Sequence, residues 1–344
     1  MLSNNKLSNM RKRLDFDIEN IDVSVVNAIR RVILSEIKNV ACTDVTFIKN
    51  TSALHNEYTS HRLSLLPLCF SEKEIEKFNS DKYKFVINES GKKNITTHDI
   101  RIYDDNGNLY SEQVHRQIFP ACPITKNYIL ISKLKNDEEA LHVEFRASKG
   151  IAKDNAQWST VSTCTYFFNI NEELVEKERE TAVDKNKFET IDKFRLYKKN
   201  VYGEPNSFHF TIESECLMQP QEIFVQSVEI LKNKLQNVLY SSKIDVIDEE
   251  SNMYVIQIKN EDHTIGNLLQ SSIYNEYVRM NKLVDFVGYF LSHPLENNII
   301  IKIRFNTQVN VQEFLKEAID KVTTILKNIT TSNEKDTKKK AIKK

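Results

Sequence analysis

The sequence predicts an α+β protein in which one chain carries two copies of a single structural unit. A first observation is a repeated motif, because moving Asp22 forward by 240 residues gives Asp262 and the apolar helix-period stretch that follows is repeated as well. A second is a pair of apolar heptad patterns, at residues 224–238 and 315–329, that are related by a shift of 91 residues. A third is the order strand, helix, strand, strand, long helix, which the chain follows twice.

The composition is that of a globular protein without an overall electrostatic preference. Of 344 residues, 40% are hydrophobic and 28% are charged. The 48 basic residues equal the 48 acidic ones, so any contact with nucleic acid or an anionic membrane must be local. No apolar run reaches the roughly 18 residues of a membrane span, and residues 1–13 lack the apolar core of a secretory signal. We expect an intracellular protein without a membrane partner.

Neither a metal site nor a nucleotide site is predicted. The five cysteines are scattered without a C-x-x-C pair, whereas zinc sites need thiolates at short spacing, so buried reduced thiols are favoured. The six glycines form neither a phosphate-binding loop nor a dinucleotide fingerprint. Asp262 and His263 are interpreted as helix-capping residues, because a catalytic dyad lacks a nucleophile at fixed spacing. We therefore expect no cofactor, no metal and no catalytic residue.

The first unit opens with a strand and an amphipathic helix. Residues 14–19 alternate apolar and polar side chains, and Asp22 or Ser24 can cap the helix that follows. Arg30 and Arg31 lie away from the apolar face of this helix. The apolar face consists of Val25, Val26, Ile29, Val32, Ile33 and Ile37.

A mostly β insert is predicted over residues 51–199, after a short strand at 42–49. Its beginning carries a helical turn with His61 and Arg62, which stops before Pro67 because a residue that precedes proline avoids helical geometry. Short alternating segments then follow between polar loops. The predicted strands are Tyr83–Ile87, Ile100–Tyr103, Tyr128–Leu134 and Leu141–Ala147.

The only tryptophan lies in a polar segment of this insert. Trp158 shares the segment with Lys149 and Lys153. An exposed aromatic among cations is typical of a docking residue, because tryptophan supplies a large contact area at low entropic cost. The alternative is that its ring covers a small satellite core.

Regular elements return after the insert. Residues 208–213 alternate as a strand, Pro220 begins a long helix, and the polar stretch 243–252 is predicted to be a linker. The apolar positions of the long helix are Phe224, Val228, Leu231, Leu235 and Val238.

The second unit repeats the same order of elements without an insert. Its predicted strands are 254–259, 284–291 and 298–305, with a turn at His293–Pro294, and a helix occupies 264–279. The apolar faces of its two helices are Ile265, Leu268, Leu269 and Ile273, and then Leu315, Ile319, Val322, Leu326 and Ile329.

Pairing of the two units within one chain follows from their size. A unit of fewer than about a hundred residues buries too little apolar surface to be stable alone. Two such units can pair about a pseudo-twofold axis, and the covalent tether makes this pairing intramolecular, so no homodimer is expected. The predicted boundaries are 1–50 and 200–242 for the first unit, 51–199 for the insert, 243–252 for the linker, 253–332 for the second unit and 333–344 for a basic tail.

The basic tail has six lysines among its last ten residues. A disordered, solubilising end is favoured over a contact with nucleic acid or a nuclear address.

Several of these stretches resemble the α-like subunits of multisubunit RNA polymerases. Residues 20–33, His61–Leu68 and Lys149–Ser159 are similar to motifs of the larger α-like subunit, which is the third subunit of eukaryotic polymerase II or the archaeal D subunit. Residues 261–269, 286–289 and 293–297 are similar to the smaller partner, the eleventh subunit or archaeal L. Both partners on one chain resemble the fused subunit of large DNA viruses. The cysteine cluster that binds a metal in some larger α-like subunits is absent.

The resemblance implies a non-catalytic assembly platform. In such enzymes the α-like pair gathers the two largest subunits, which perform the chemistry, and contacts small zinc-binding subunits. DNA and RNA would be contacted only indirectly, through the holoenzyme. If the protein is viral, the virion and host cytoplasm are expected locations, with the nucleus as an alternative.

The residues expected to dock other polymerase subunits are mostly basic. Alternatives are a solvated helix face for Arg30 and Arg31, with pairing one turn away, and a local cap for His61 and Arg62. The docking set is Arg30, Arg31, His61, Arg62, Lys149, Lys153 and Trp158.

A rival function is a stand-alone, internally dimerised nucleic-acid-binding module. Zero net charge and the lack of interleaved basic and aromatic residues on a sheet argue against it. An enzyme is a third class, for which the sequence offers no constellation.

Overall fold

A computed structural model describes residues 2–8, 12–215, 218–248, 252–293, 295–296 and 298–341, with only the backbone path for 2–8, 248 and 331–341. Within these residues, no helix combines the length and the apolar composition that crossing a membrane requires.

The chain begins with the elements of the first unit and enters the insert through a long strand. These elements are β1 (Leu2–Ser8), β2 (Arg13–Glu19), α1 (Val23–Ser35) and β3 (Lys38–Asn50). The insert continues with α2 (Asn56–Ser64), α3 (Glu72–Glu76), β4 (Lys84–Ser90), β5 (Lys93–Thr96), β6 (Arg101–Tyr103), α4 (Glu112–Ile118), β7 (Leu130–Leu134) and β8 (Ala140–Ile151).

The remaining elements complete the first unit and form the second. The first unit ends with β9 (Val161–Phe168), α5 (Glu172–Thr181), α6 (Lys185–Thr190), β10 (Ser207–Ser214) and α7 (Pro220–Ser241). The second unit contains β11 (Ser242–Asp248), β12 (Met253–Lys259), α8 (His263–Ile273), a π-helical continuation (Tyr274–Met280), β13 (Val284–Leu291), β14 (Asn298–Phe305) and α9 (Val311–Ala341).

The two units share one sheet topology. The first sheet has the order β1-β2-β10-β9 and the second has the order β11-β12-β14-β13, all antiparallel. Each sheet buries one face, as in the central pairs Phe16–Phe210 and Ile256–Ile301. The duplication therefore extends from the helices to every strand of the two sheets.

The strand pairing moves three of the predicted boundaries. The predicted linker at 243–252 is wrong for residues 243–248, because Ser242–Asp248 form β11 and pair with β12. Backbone hydrogen bonding to a neighbouring strand does not require an apolar pattern. β11 is thus the counterpart of β1. Residues 249–251 lie outside the described residues.

The insert also has different limits from those predicted. β9, placed in the insert by the sequence, belongs to the first sheet, whereas β3, placed in the first unit, forms the insert sheet β3-β8-β4-β6. Both assignments depend on which distant strand is hydrogen-bonded, which local patterns do not specify. A second small sheet, β5-β7, lies within the insert, and residues 169–206 form a further excursion that carries α5 and α6.

The last predicted boundary concerns the basic tail. α9 continues through Ala341, so most of the stretch predicted to be a disordered tail is the end of a helix. Residues 342–344 lie outside the described residues, as do Cys216 and Pro294, and with them part of the predicted turn at His293–Pro294.

A single apolar core spans both units. α1 contacts α7 and α8, and α9 contacts α7 and α8, so the four helices meet between the two sheets. All residues predicted for internal pairing are buried: Val25, Ile29, Val32, Ile33, Phe224, Val228, Leu231, Leu235, Ile265, Leu268, Leu269, Leu315, Ile319, Val322 and Leu326. Their individual contributions to pairing stay predictions.

Candidate assembly interface

The helices α1 and α8 begin with equivalent aspartate caps. Asp22 accepts a hydrogen bond from the Ser24 backbone N–H at 2.7 Å, and Asp262 accepts one from the Thr264 backbone N–H at 2.9 Å. Aspartate suits this position because its carboxylate satisfies an N–H that has no partner within the helix. The structure thus selects Asp22 rather than Ser24 as the cap of α1.

Each capping carboxylate also reaches the opposite unit. Asp22 accepts hydrogen bonds from Ser271 Oγ at 3.1 Å and Asn275 Nδ2 at 3.0 Å, both in the second unit. Asp262 lies 3.9 Å from a guanidinium nitrogen of Arg31 in the first unit. The 240-residue shift relates Arg31 to Ser271, so the two contacts occupy equivalent positions about the pseudo-twofold axis.

The Asp262 contact is strengthened by the insert. Lys153 Nζ donates to Asp262 at 2.9 Å, and Arg31 Nε donates to Thr264 Oγ1 at 2.8 Å. Burial alone would raise the pKa of Asp262, but the hydrogen bonds from Thr264 and Lys153 outweigh burial and hold this pKa well below its ordinary value. The carboxylate therefore stays ionised and links both units to the insert.

A buried ion cluster lies beside this contact. Lys234 Nζ in α7 is 2.7 Å from Glu36 Oε1 and 3.1 Å from Glu261 Oε2, and the three side chains are only 18%, 10% and 10% exposed. Burial raises the pKa of Glu261 despite the attraction of Lys234. Since Glu36 belongs to the first unit and Glu261 to the second, one ammonium bridges the interface.

A second bridge joins the excursion at 169–206 to the second unit. The Arg279 guanidinium donates to both carboxylate oxygens of Glu204, at 2.8 and 2.6 Å. It also lies 4.8 Å from the ring centre of Tyr202 and 4.7 Å from that of Tyr274. The hydrogen bond from Arg279 lowers the pKa of Glu204, so this planar fork holds an ionised partner.

Gly266 admits an aromatic ring at close range. A Cβ on Gly266 would lie 2.5 Å from Tyr289 Cδ2, so only glycine lets α8 pack on β13 in this way. The Tyr289 hydroxyl lies 3.2 Å from His263 Nδ1. His263 is therefore part of a packing contact next to the cap, in agreement with its non-catalytic interpretation.

The predicted docking residues separate into two groups once their partners are known. Arg31 and Lys153 were predicted to contact other subunits, but their hydrogen bonds lead to Asp262 and Thr264. Both side chains therefore bind the second unit of their own chain, and their docking of other subunits stays a prediction. The sequence could not reveal this, because the partners lie more than a hundred residues away.

Two further docking candidates stabilise the insert. Arg62 donates to the carbonyl oxygens of Leu130 at 2.6 Å and Ile131 at 2.9 Å, which holds α2 against β7. Lys149 donates to the Glu76 carbonyl oxygen at 3.1 Å. These residues therefore have internal partners in place of the local cap that was the alternative for Arg62.

Trp158 is half-buried rather than a free docking residue. Its indole Nε1 donates to the Ser148 carbonyl oxygen at 3.0 Å. A Cβ on Gly150 would lie 2.4 Å from Trp158 Cδ2, so the ring packs flat on this glycine. The alternative in which the ring covers a local core describes this arrangement better.

His61 and Arg30 remain at the surface. Arg30 is half-buried and donates to Asn27 Oδ1 within its own helix, at 3.0 and 3.2 Å. His61 is exposed and borders a groove of about 560 Å³ between α2 and β3, together with Asp44 and Gln157. Of the predicted docking set, His61 is the member that lines this groove.

The described cysteines do not form a metal site. Cys42, Cys69 and Cys164 are buried and Cys122 is exposed, all as free thiols. Burial raises the pKa of Cys164 to about 12, so this thiol stays protonated. Across the part of the chain that the structure describes, no group of His, Cys, Asp and Glu is arranged to hold a metal ion.

Sequence reasoning missed Lys234, Glu261, Glu204 and Arg279. The only sequence signal for Lys234 is its position directly before a leucine of the heptad. This signal is weak, because lysines at such positions are common on solvated helices. The 240-residue shift also relates Glu36 to Glu276, but this repeat does not indicate that Glu36 pairs with Lys234.

Comparisons with known proteins agree with this duplicated arrangement. The family model described as RNA polymerase Rpb3/Rpb11 dimerisation domain matches residues 15–235, and a second model of the same description matches residues 254–332. The α+β fold with two such units in one chain is confirmed.

Individual relatives are polymerase subunits. The chain is 27% identical over 290 residues to DNA-directed RNA polymerases IV and V subunit 3B of Arabidopsis thaliana, covering 68% of this chain and 89% of that protein. It is 28% identical over 285 residues to DNA-directed RNA polymerases I and III subunit RPAC1 of Saccharomyces cerevisiae, covering 65% and 83%. Subunit Rpo3 of Methanobrevibacter smithii is 24% identical over 272 residues, covering 66% and 93%.

Proposed function

Because this chain belongs to the RNA polymerase Rpb3/Rpb11 dimerisation-domain family, we propose that it is the assembly platform of a multisubunit DNA-directed RNA polymerase, with both α-like partners fused. The observation that carries this proposal is the pair of capping contacts, in which Asp22 and Asp262 each bind the opposite unit. In this role the platform has no catalytic residue. The fusion is the arrangement we propose for a polymerase of a large DNA virus.

The partners in this proposal are the two largest polymerase subunits and small zinc-binding subunits. The two largest subunits would perform magnesium-dependent nucleotidyl transfer, and this chain would hold them in register. His61 and the groove between α2 and β3 are the docking region that we propose, with Arg30 as a second contact. Internal hydrogen bonds stabilise the surface around this region, and they are made by Arg62, Lys149 and Trp158.

Co-purification tests the proposal directly. A tagged full-length chain, expressed where its polymerase is made, should recover the two largest subunits in equal amounts. His61→Ala should reduce recovery several-fold at an unchanged melting temperature, because the side chain is exposed and lines the groove. Lys133→Ala is the control, because Lys133 is exposed on β7 and does not line the groove, and this variant should leave recovery unchanged.

Two results would count against the proposal. Recovery of no polymerase subunit by the folded wild-type chain would remove the assembly role. Full recovery by His61→Ala would leave assembly intact but move docking away from the groove.

A further inference from the structure

The outward face of the second sheet carries aromatic side chains that are not part of the core joining the two units. Phe286 and Phe290 in β13 are 46% and 41% exposed, and Gly288 lies between them on the same face. The other face of the sheet is the core, since Ile299 and Ile301 are fully buried. Both rings therefore point away from the apolar interior.

The strand register places cations beside these rings. Arg304 lies opposite Phe286, and Lys302 lies opposite Gly288, in the neighbouring strand β14. The Lys302 ammonium is 5.2 Å from the centre of the Phe290 ring. Basic and aromatic side chains thus alternate on one sheet face, and the sequence-based argument that no such face exists is wrong for the second unit.

This face has a local excess of positive charge on a chain of zero net charge. By register the face carries four cations and three acids, and of the acids whose side chains the structure describes, Asp245 pairs with Lys243 at 3.0 Å and Asp285 pairs with Arg304. Lys259 and Lys302 add two more cations on the same face. Phosphate groups would complement this excess.

We propose that this face binds single-stranded nucleic acid, with bases stacked on Phe286 and Phe290 and phosphates near Lys302 and Lys259. Antiparallel sheets that present aromatic rings and cations bind splayed bases in this way. Gly288 contributes because a Cβ there would lie 3.0 Å from Phe286 Cζ and would push the ring off the strand. A protein partner would instead favour a centre depleted of charge, whereas here lysine occupies a central strand.

Ring substitutions in the full-length chain test the stacking. The probe is a fluorescein-labelled oligouridine of about twelve nucleotides, with oligothymidine of the same length as a second arm, and fluorescence anisotropy reports binding. Phe290→Ala should weaken binding roughly tenfold, Phe290→Leu similarly, and Phe290→Tyr hardly at all, because only tyrosine retains a ring.

A matched pair on another surface serves as the control. Phe194 is 59% exposed and Lys193 Nζ lies 5.8 Å from its ring centre, so the same chemistry occurs there without a sheet. Phe194→Ala should bind the probe as the wild type does. Comparison of the affinities for oligouridine and oligothymidine shows whether the face prefers RNA or DNA.

The salt dependence tests the phosphate contact. Lys302→Gln should weaken binding to all sequences alike and reduce the slope of log affinity against log salt by about one. Circular dichroism should show wild-type folding for every variant, since each changed side chain is at the surface.

Several outcomes would overturn the proposal. These are no binding by the wild type, equal binding by the Phe290→Ala and wild-type chains, full binding by Phe290→Leu, or equal affinity for duplex and single strand. Protection of residues 284–304 from hydrogen exchange by another subunit in the assembled polymerase would likewise assign this face to protein. Cross-linking of nascent RNA to residues 284–304 in the assembled enzyme would support the nucleic-acid-binding proposal.

Discussion

The two capping sites have the same backbone role but different partners across the interface. At Asp22 the opposite unit supplies neutral donors, Ser271 and Asn275. At Asp262 it supplies Arg31, and the insert adds Lys153. The comparison shows that duplication preserved the helix cap, whereas the partners that each carboxylate contacts outside its own helix diverged.

The divergence makes the interface specific for unlike units. Lys234 in the first unit satisfies Glu261 in the second, but the 91-residue shift places Ile325 at the equivalent position of α9. A pair of two second units would therefore leave Glu261 buried without its ammonium, which is costly. Pairing within one chain is favoured by these charges as well as by the tether.

The largest expected effect comes from breaking the apolar contact that both sites share. Leu268→Asp places a charge at a fully buried position of α8 and should lower the free energy of unfolding by more than about 4 kcal/mol, measured by denaturant unfolding. Leu109→Asp, at an exposed leucine of the insert, is the matched control and should change it little. Equal curves for both variants would contradict the burial of α8 between the units.

The next largest effect isolates the charged side of the comparison. Lys234→Met leaves Glu36 and Glu261 without their ammonium partner. It should lower the free energy of unfolding by about 3 kcal/mol at neutral pH, measured by denaturant unfolding. Because burial already raises the pKa of Glu261, the stability contributed by this carboxyl is full below its ordinary pKa and is lost as pH rises through the raised value. The cost of the substitution should therefore shrink in acid, and a cost that grows in acid would refute the cluster.

Neutralising each cap separately sharpens the comparison itself. Asparagine still caps a helix, so Asp262→Asn should lose only the interactions with its charged partners, which lowers the free energy of unfolding by about 1–2 kcal/mol. Asp22→Asn should lower it by less than about 1 kcal/mol. The folded pKa of Asp262 is depressed, so its contribution is present above the ordinary pKa and is lost as pH falls toward the folded value. The difference in stability between the two variants should therefore disappear in strong acid and at high salt, which thermal unfolding experiments would measure.

The smallest effect concerns the bridge outside the capping sites. Arg279→Lys removes the two-pronged contact with Glu204 and the stacking on Tyr202, and should cost about 1 kcal/mol because the pair is partly exposed. Arg304→Lys, in the exposed pair with Asp285, should cost close to nothing. A double-mutant cycle with Glu204→Gln measures the coupling, and zero coupling would remove this bridge from the interface.

The sequence by itself determined the duplicated unit and its capped, apolar helices. Asp22 and Asp262, the heptad residues of α7 and α9, and most strands of the insert could be read from periods and capping chemistry, because these signals lie within one or two turns or strands. The α+β class and the family resemblance followed from the same stretches.

Only the tertiary structure decided which distant groups meet. It showed that residues 243–248 of the predicted linker belong to β11, that β9 belongs to the first sheet, and that Arg31 and Lys153 contact Asp262 of the second unit. The physical reason is that periodicity reports which face of an element is buried, whereas hydrogen bonding between strands and pairing of charges depend on how whole elements pack. That packing also placed Lys302 beside Phe290, on a face that no local window of the sequence displays.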